Sequence, residues 1–224
     1  MEQNGKECIL LFSGGRDSTI AAVRLSSVVE RLTLVTITSE HLVGINAVRR
    51  RLAELKSYLP WNTKWLHVKQ PEMLPGNQLF RAPTCLPCHC FYTAVGITVT
   101  ERLNVSSLAF GYTGYQSDWP EQAPYAIECL GYVLSSRGIR LVLPVYDISK
   151  KSDAITELTR YCLSVDALEQ KCSQHESNIE LEPSRLREEV AAWERVLLLN
   201  LEAIARVGIQ TITESFLGDL NDLD

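Results

Sequence analysis

Short apolar runs rich in β-branched residues alternate along the chain with longer stretches whose apolar positions recur every three or four residues. The runs 8–12, 32–38, 63–68, 107–111 and 139–143 read as strands. The stretches 19–29, 45–59, 88–103 and 125–137 read as helices, and 149–162 as an amphipathic helix after the last strand. In the second helix, positions 45, 48, 52, 55 and 59 form the apolar side, and Arg49, Arg50 and Arg51 are expected on the solvated side. Strand–helix alternation from the start of the chain predicts an α/β fold. The expected form is a doubly wound, mostly parallel five-stranded sheet with helices on both faces.

The tail has a different pattern. Residues 163–181 are polar and aperiodic, Pro183 and Ser184 open a new helix, and 186–207 is strongly apolar on one side. Gly208 then separates a last short helix ending in an acidic run. This divides the chain into an α/β unit, 1–182, and a helical extension, 183–224, too short to stand alone. The extension is expected either to pack on the sheet or to build a homodimer or other protein contact.

Composition narrows the class. The 224 residues are 46% hydrophobic and 22% charged, as in an ordinary water-soluble protein with ample core. A net charge of −5 offers no general attraction to nucleic acid or anionic membrane, so nucleic acid is not an expected partner. The N-terminus is polar and no uninterrupted apolar run reaches membrane-spanning length, which places the chain in the cytoplasm by expectation. Seven cysteines, three of them within six positions, suit a metal site in a reducing compartment better than a disulfide framework.

The chemistry begins at Ser13-Gly14-Gly15-Arg16-Asp17-Ser18, between the first strand and the first helix. A strand that turns through two glycines into a helix leaves backbone N–H groups unpaired at the positive end of the helix dipole. That is a phosphate cradle. Ser13 and Ser18 add hydroxyls, and Asp17 can cap the helix or hold a metal-bridged phosphate. No Gly-Lys-Ser/Thr follows, as a Walker loop would require, and the three spaced glycines of a dinucleotide fingerprint are missing.

In a parallel sheet, ligands collect where strands end. Residues 13–18, 39–41, 70–90, 112–121 and 144–151 all follow strands and are expected on one rim. Thr38 and Ser39 would then lie beside the nucleotide. The second signal is Cys85-Leu86-Pro87-Cys88-His89-Cys90, in which a Cys-x-x-Cys pair lets two thiolates converge on one ion and Cys90 can add a third. Cys172, in the irregular polar stretch, is the expected fourth ligand, with His89 and His175 as substitutes. Zinc is preferred to an iron–sulfur cluster for such a set, and a group of free thiols is the alternative.

The hexad resembles the SGGxDS signature of the PP-loop ATP pyrophosphatases, which implies cleavage of ATP to AMP and pyrophosphate with adenylation of a substrate and use of Mg²⁺. The segments 110–118 and 143–150, in that order after the hexad, are similar to those of the 7-cyano-7-deazaguanine synthase branch. That likeness implies a structural zinc and an acid such as 7-carboxy-7-deazaguanine reacting, once adenylated, with ammonia or an amine. The cysteine positions differ from that branch, and Gln116-Ser117-Asp118-Trp119 stands where it has Pro-Asp-Cys-Arg. On this reading Ser13, Gly14, Gly15, Asp17 and Ser18 bind the pyrophosphate. Lys150, with Arg16 second, offsets the leaving charge, and Tyr112, Tyr115 and Asp118 line the acceptor pocket. A PP-loop sulfur transferase and a non-catalytic nucleotide-binding subunit are the competing readings.

Overall fold

A computed structural model describes residues 7–71, 77–173 and 179–219. The chain runs β1 (Glu7–Leu11), α1 (Arg16–Ser26), β2 (Arg31–Thr38), β3 (Leu42–Val43), α2 (Ile45–Leu55) and β4 (Lys64–Lys69). It continues with α3 (Leu86–Arg102), β5 (Ser107–Ala109), α4 (Pro124–Ser136), β6 (Arg140–Val142) and α5 (Lys151–Arg160). The remaining elements are β7 (Lys171–Cys172), α6 (Pro183–Val207) and β8 (Gln210–Phe216).

Six strands form one sheet in the order β6-β5-β1-β2-β4-β8, parallel except for β8. The pleat divides the core. Cys8, Leu10, Leu32, Leu34 and Trp65 face a layer that includes α1, α2 and α5, whereas Ile9, Val35, Ile37, Leu66 and Val68 face α3, α4 and α6. From β1 the chain moves outward through β2 and β4, then returns to pair β5 with the other side of β1. The carboxyl end of β1, where the glycine hexad begins, is therefore the switch point of the sheet.

The sheet has one strand more than the sequence pattern predicts. The expected last short helix is instead β8, whose Gln210, Thr211 and Thr213 pair antiparallel with the free side of β4, with Ile212 at a shift in the register. β-branched residues after Gly208, which turns at φ 78°, favour that outcome. Helix α6 packs against α3, burying Trp193, Val196, Leu197, Leu201 and Ile204. The polar stretch also holds a strand, since Lys171 and Cys172 pair antiparallel with Val43 and Leu42.

Arg51 corrects the expectation of a solvated arginine face. Its side chain is fully buried in the layer of Val48, Leu52 and Leu55. Position 51 lies three residues after 48 and four before 55, on the same helix side as the core residues. Among the described residues, no helix is long and apolar enough to cross a membrane.

Candidate functional site

The hexad forms a tight, internally bonded turn. Gly14 adopts φ 82°, and a side chain there would also strike the Leu168 carbonyl oxygen, at 2.4 Å from its Cβ. Only glycine meets both demands at low cost. The Gly15 N–H donates to Ser13 Oγ at 3.2 Å, and Ser18 Oγ and Thr19 Oγ1 donate to the Gly15 carbonyl at 3.1 and 2.6 Å. Ser13 Oγ and Ser18 Oγ lie 3.1 Å apart. Arg51 braces the turn from beneath, donating to Gly14 O at 3.3 Å and to Asp166 O at 2.7 Å, with Glu54 as its ion-pair partner. Burial lowers the Arg51 pKa, and the carboxylates of Glu54, Asp166 and Glu169 oppose that shift.

Segments after β5 and β6 close on the start of α1. Gly111 leaves no room for a Cβ, which would come 2.8 Å from the Ser18 nitrogen. Tyr115 donates its hydroxyl to Asp17 Oδ1 at 2.6 Å, and its own N–H reaches Ile148 O at 3.1 Å. Burial raises the Asp17 pKa above its ordinary value. Tyr115 and Arg16 pull it back, Glu169 adds to the rise, and Lys151 opposes it. Arg24 ties α1 to the segment after β6 through Pro144 O at 2.9 Å and Asp147 at 2.6 Å, and to α5 through Glu157 at 2.7 Å.

The expected acceptor residues part company. Tyr115 stands at the phosphate loop, but Tyr112 is a core residue, 6% exposed, with its hydroxyl 3.1 Å from His89 Nδ1. Asp118 is exposed and lines a separate cavity of about 310 Å³ with Tyr125, Leu181, Leu186 and Arg187. Lys150 is exposed at the N-cap of α5, and it is Lys151 whose charge reaches Asp17.

The cysteines also divide. Cys85 caps the N-terminus of α3 and Cys88 follows in its first turn, on the side that carries Tyr92. Burial, followed by the nearby Cys88, Cys172 and Cys85, raises the Tyr92 pKa, and Ser39 opposes the rise. Ser39 Oγ lies 3.1 Å from His41 Nδ1, and His41 Nε2 lies 3.6 Å from Cys88 Sγ. Cys85, Cys88 and Cys172 are thus all near enough to Tyr92 for their charges to act on it, and His41 lies beside Cys88.

Cys90 does not join them. It is fully buried, within reach of the Trp193 carbonyl at 3.5 Å and the Asn200 amide at 3.7 Å, and burial raises its pKa. Two residues along a helix is a rotation of about 200°, which turns Cys90 from the thiol face toward α6. His89 is engaged by Tyr112 and, at 3.5 Å, by Glu121, and His175 lies outside the described residues. Among the described residues, no three histidine, cysteine, aspartate or glutamate side chains stand close enough to hold a metal ion as placed. Three thiols and an imidazole are nevertheless donor types that suit zinc or an iron–sulfur cluster. Cys85, Cys88 and Cys172 are the residues that would hold either.

One segment joins the two halves of the rim. Leu168 covers Gly14, and Glu169 places Oε2 2.2 Å from where a Gly15 Cβ would be. Thr38 donates to Gln170 Oε1 at 2.8 Å, and Gln170 Nε2 donates to Ile37 O at 2.9 Å. Cys172 pairs with Leu42, and Ser173 N donates to His41 O at 2.8 Å. Thr38 and Ser39 thus meet this segment and the thiol group. Arg51, Tyr92, Glu169 and Gln170 are additions to the site. Helical spacing from Val48 and from Cys88 could have found the first two, but no local pattern marks the others.

No protein-family model matches the sequence, and no curated protein sequence matches it. Solved structures do share its fold. U34-tRNA thiolase NcsA from Methanococcus maripaludis, with its 4Fe–4S cluster, is 16% identical with TM-score 0.56, over 87% of this chain and 72% of that one. A 4-thiouridine synthetase in complex with RNA and bound ATP is 17% identical with TM-score 0.57, over 93% of this chain and 55% of that one. The chain thus spans about half the length of that synthetase. NMN synthetase from Francisella tularensis is 11% identical with TM-score 0.50, over 86% and 85% of the two chains. The shared arrangement is the adenine nucleotide α-hydrolase-like fold.

Proposed function

We propose that this chain is an ATP-dependent enzyme that adenylates an oxygen of a small carbonyl or carboxylate acceptor, releases pyrophosphate, and replaces AMP with sulfur. The observation that carries this reading is the continuity of residues 168–172, which run from the phosphate loop at Gly14 to the thiols at Cys172. The resemblance to the PP-loop ATP pyrophosphatases supports cleavage between the α- and β-phosphates. The thiolase and thiouridine synthetase among the fold neighbours support sulfur as the incoming atom.

On this reading the acceptor oxygen attacks the α-phosphorus, and pyrophosphate leaves against the N–H groups of the hexad. Charge grows on that leaving group, so donors fixed before the reaction lower the barrier. Asp17, oriented by Tyr115, would help to hold Mg²⁺, which would offset the charge of the phosphates. Arg16 and Lys151 are the nearby cations. A metal ion or cluster held by Cys85, Cys88 and Cys172 would supply a site that binds soft sulfur. The net charge of −5 and the burial of Arg51 favour a small acceptor over tRNA.

A second reading keeps the adenylate and makes ammonia or an amine the nucleophile, with a 7-carboxy-7-deazaguanine-like acid as acceptor. Contact between the two segments that resemble 7-cyano-7-deazaguanine synthase favours it, because Gly114 packs directly on the carbonyl oxygens of Tyr146 and Ile148. Incubation with ATP, Mg²⁺ and 7-carboxy-7-deazaguanine or its amide, with either sulfide or ammonia, separates the readings by product mass. A thio-product formed only with sulfide is expected. A nitrile or amide formed with ammonia, and no thio-product, would replace this reading with the second.

A further inference from the structure

The phosphate cradle already faces an anion from its own chain. Glu169 Oε2 lies so close to Gly15 that a methyl there would overlap it, at 2.2 Å. The Glu169 charge is felt by Asp17 as a like charge and by Arg51 as an opposite one. A loop that presents unpaired N–H groups at a helix start favours a carboxylate as it favours a phosphate. Two anions cannot share that position without mutual repulsion.

The stretch bearing Glu169 is fastened at both ends. Arg51 holds Asp166 O at one end, and at the other Cys172 pairs with Leu42 while Ser173 bonds to His41. Between these anchors, Leu168, Glu169 and Gln170 rest on the phosphate loop and the end of β2. The side chain of Glu169 is 37% exposed, and its other contact is Lys171 at 3.5 Å. It has room to swing out.

We propose that residues 166–172 form a strap whose Glu169 carboxylate occupies the phosphate cradle as an internal anion, so that ATP binds by displacing it and thereby moves Cys172 within the thiol group. The inference rests on the loop being the nucleotide site. It adds competition for the cradle and a mechanical link from that competition to the thiols. Occupancy of one half of the rim then alters the other.

The test compares wild type with Glu169→Gln, measuring ATP affinity by calorimetry and backbone hydrogen exchange with and without ATP. The substitution removes the charge and keeps the shape. It is expected to tighten ATP binding about fivefold, the size of one half-exposed charge contact. In wild type, ATP should increase exchange in 168–172 and in the paired residues 42–43 while protecting 13–18. Unchanged or weaker ATP binding in Glu169→Gln, or ATP binding to wild type with no change at 168–172, overturns the strap and leaves the nucleotide site standing. Failure of both proteins to bind ATP overturns the nucleotide reading and the strap with it.

Discussion

The phosphate loop and the thiol group lie on the same rim but are built differently. The loop is six consecutive residues whose turn is closed mainly by local bonds, with Gly15 N on Ser13, and Ser18 and the next residue, Thr19, on Gly15 O. The thiol group draws Cys85 and Cys88 from the start of α3, His41 from the loop after β2, and Cys172 from β7. A contiguous turn carries its conformation in local sequence, whereas a site assembled from three segments exists only once the sheet has formed. The first should resist change at single backbone positions. The second should tolerate substitution in the fold while losing its ligand.

The largest effect is expected at Gly14. Gly14→Ala forces a side chain into φ 82° and onto the Leu168 carbonyl. Turnover of ATP should fall about 100-fold or more, as when a fixed donor to a developing charge is lost. Steady-state kinetics checks this, and wild-type activity would remove the loop from the centre of the comparison. Arg51→Met comes next. It removes a buried guanidinium from Gly14 O, Asp166 O and Glu54, and should cost about 3 kcal/mol in denaturant unfolding. Loss below 1 kcal/mol would mean that the loop needs no support from α2.

The cysteines sharpen the contrast further. Cys88→Ala should abolish binding of zinc or a cluster, measured by elemental analysis, with little change in unfolding. Cys90→Ala should leave metal content unchanged and destabilise the protein by about 1–2 kcal/mol, because it opens space between α3 and α6. Metal loss on changing Cys90 would contradict its assignment to the core.

The smallest effect carries a sign. Burial raises the Asp17 pKa above its ordinary 3.8, so ionising it costs the folded state, and stability falls as pH climbs from that value through the raised one. Asp17→Asn should therefore raise the melting temperature at neutral pH while turnover drops. An unchanged or lowered melting temperature would contradict the cost assigned to Asp17.

Legibility in the sequence follows the same division. The five parallel strands, their helices and the glycine hexad are all marked by short-range period or local turn chemistry. β8 is not legible in the sequence, because seven residues carry little periodic signal and what makes them a strand is the open side of β4. Arg51 belongs to the core by its spacing from Val48, against the expectation that its residue type alone sets up. Cys90 is near Cys85 and Cys88 in sequence, but helix geometry turns it away from them. Cys172 shares with Cys85 and Cys88 the surroundings of Tyr92, whereas Glu169 beside the loop carries no local signal at all.

The most direct test of the account is phosphorus NMR of the nucleotide products after incubation with ATP, Mg²⁺, sulfide and an acceptor that is turned over. Equal amounts of AMP and pyrophosphate, lost together in Gly14→Ala, are predicted. ADP and inorganic phosphate as the products would contradict it.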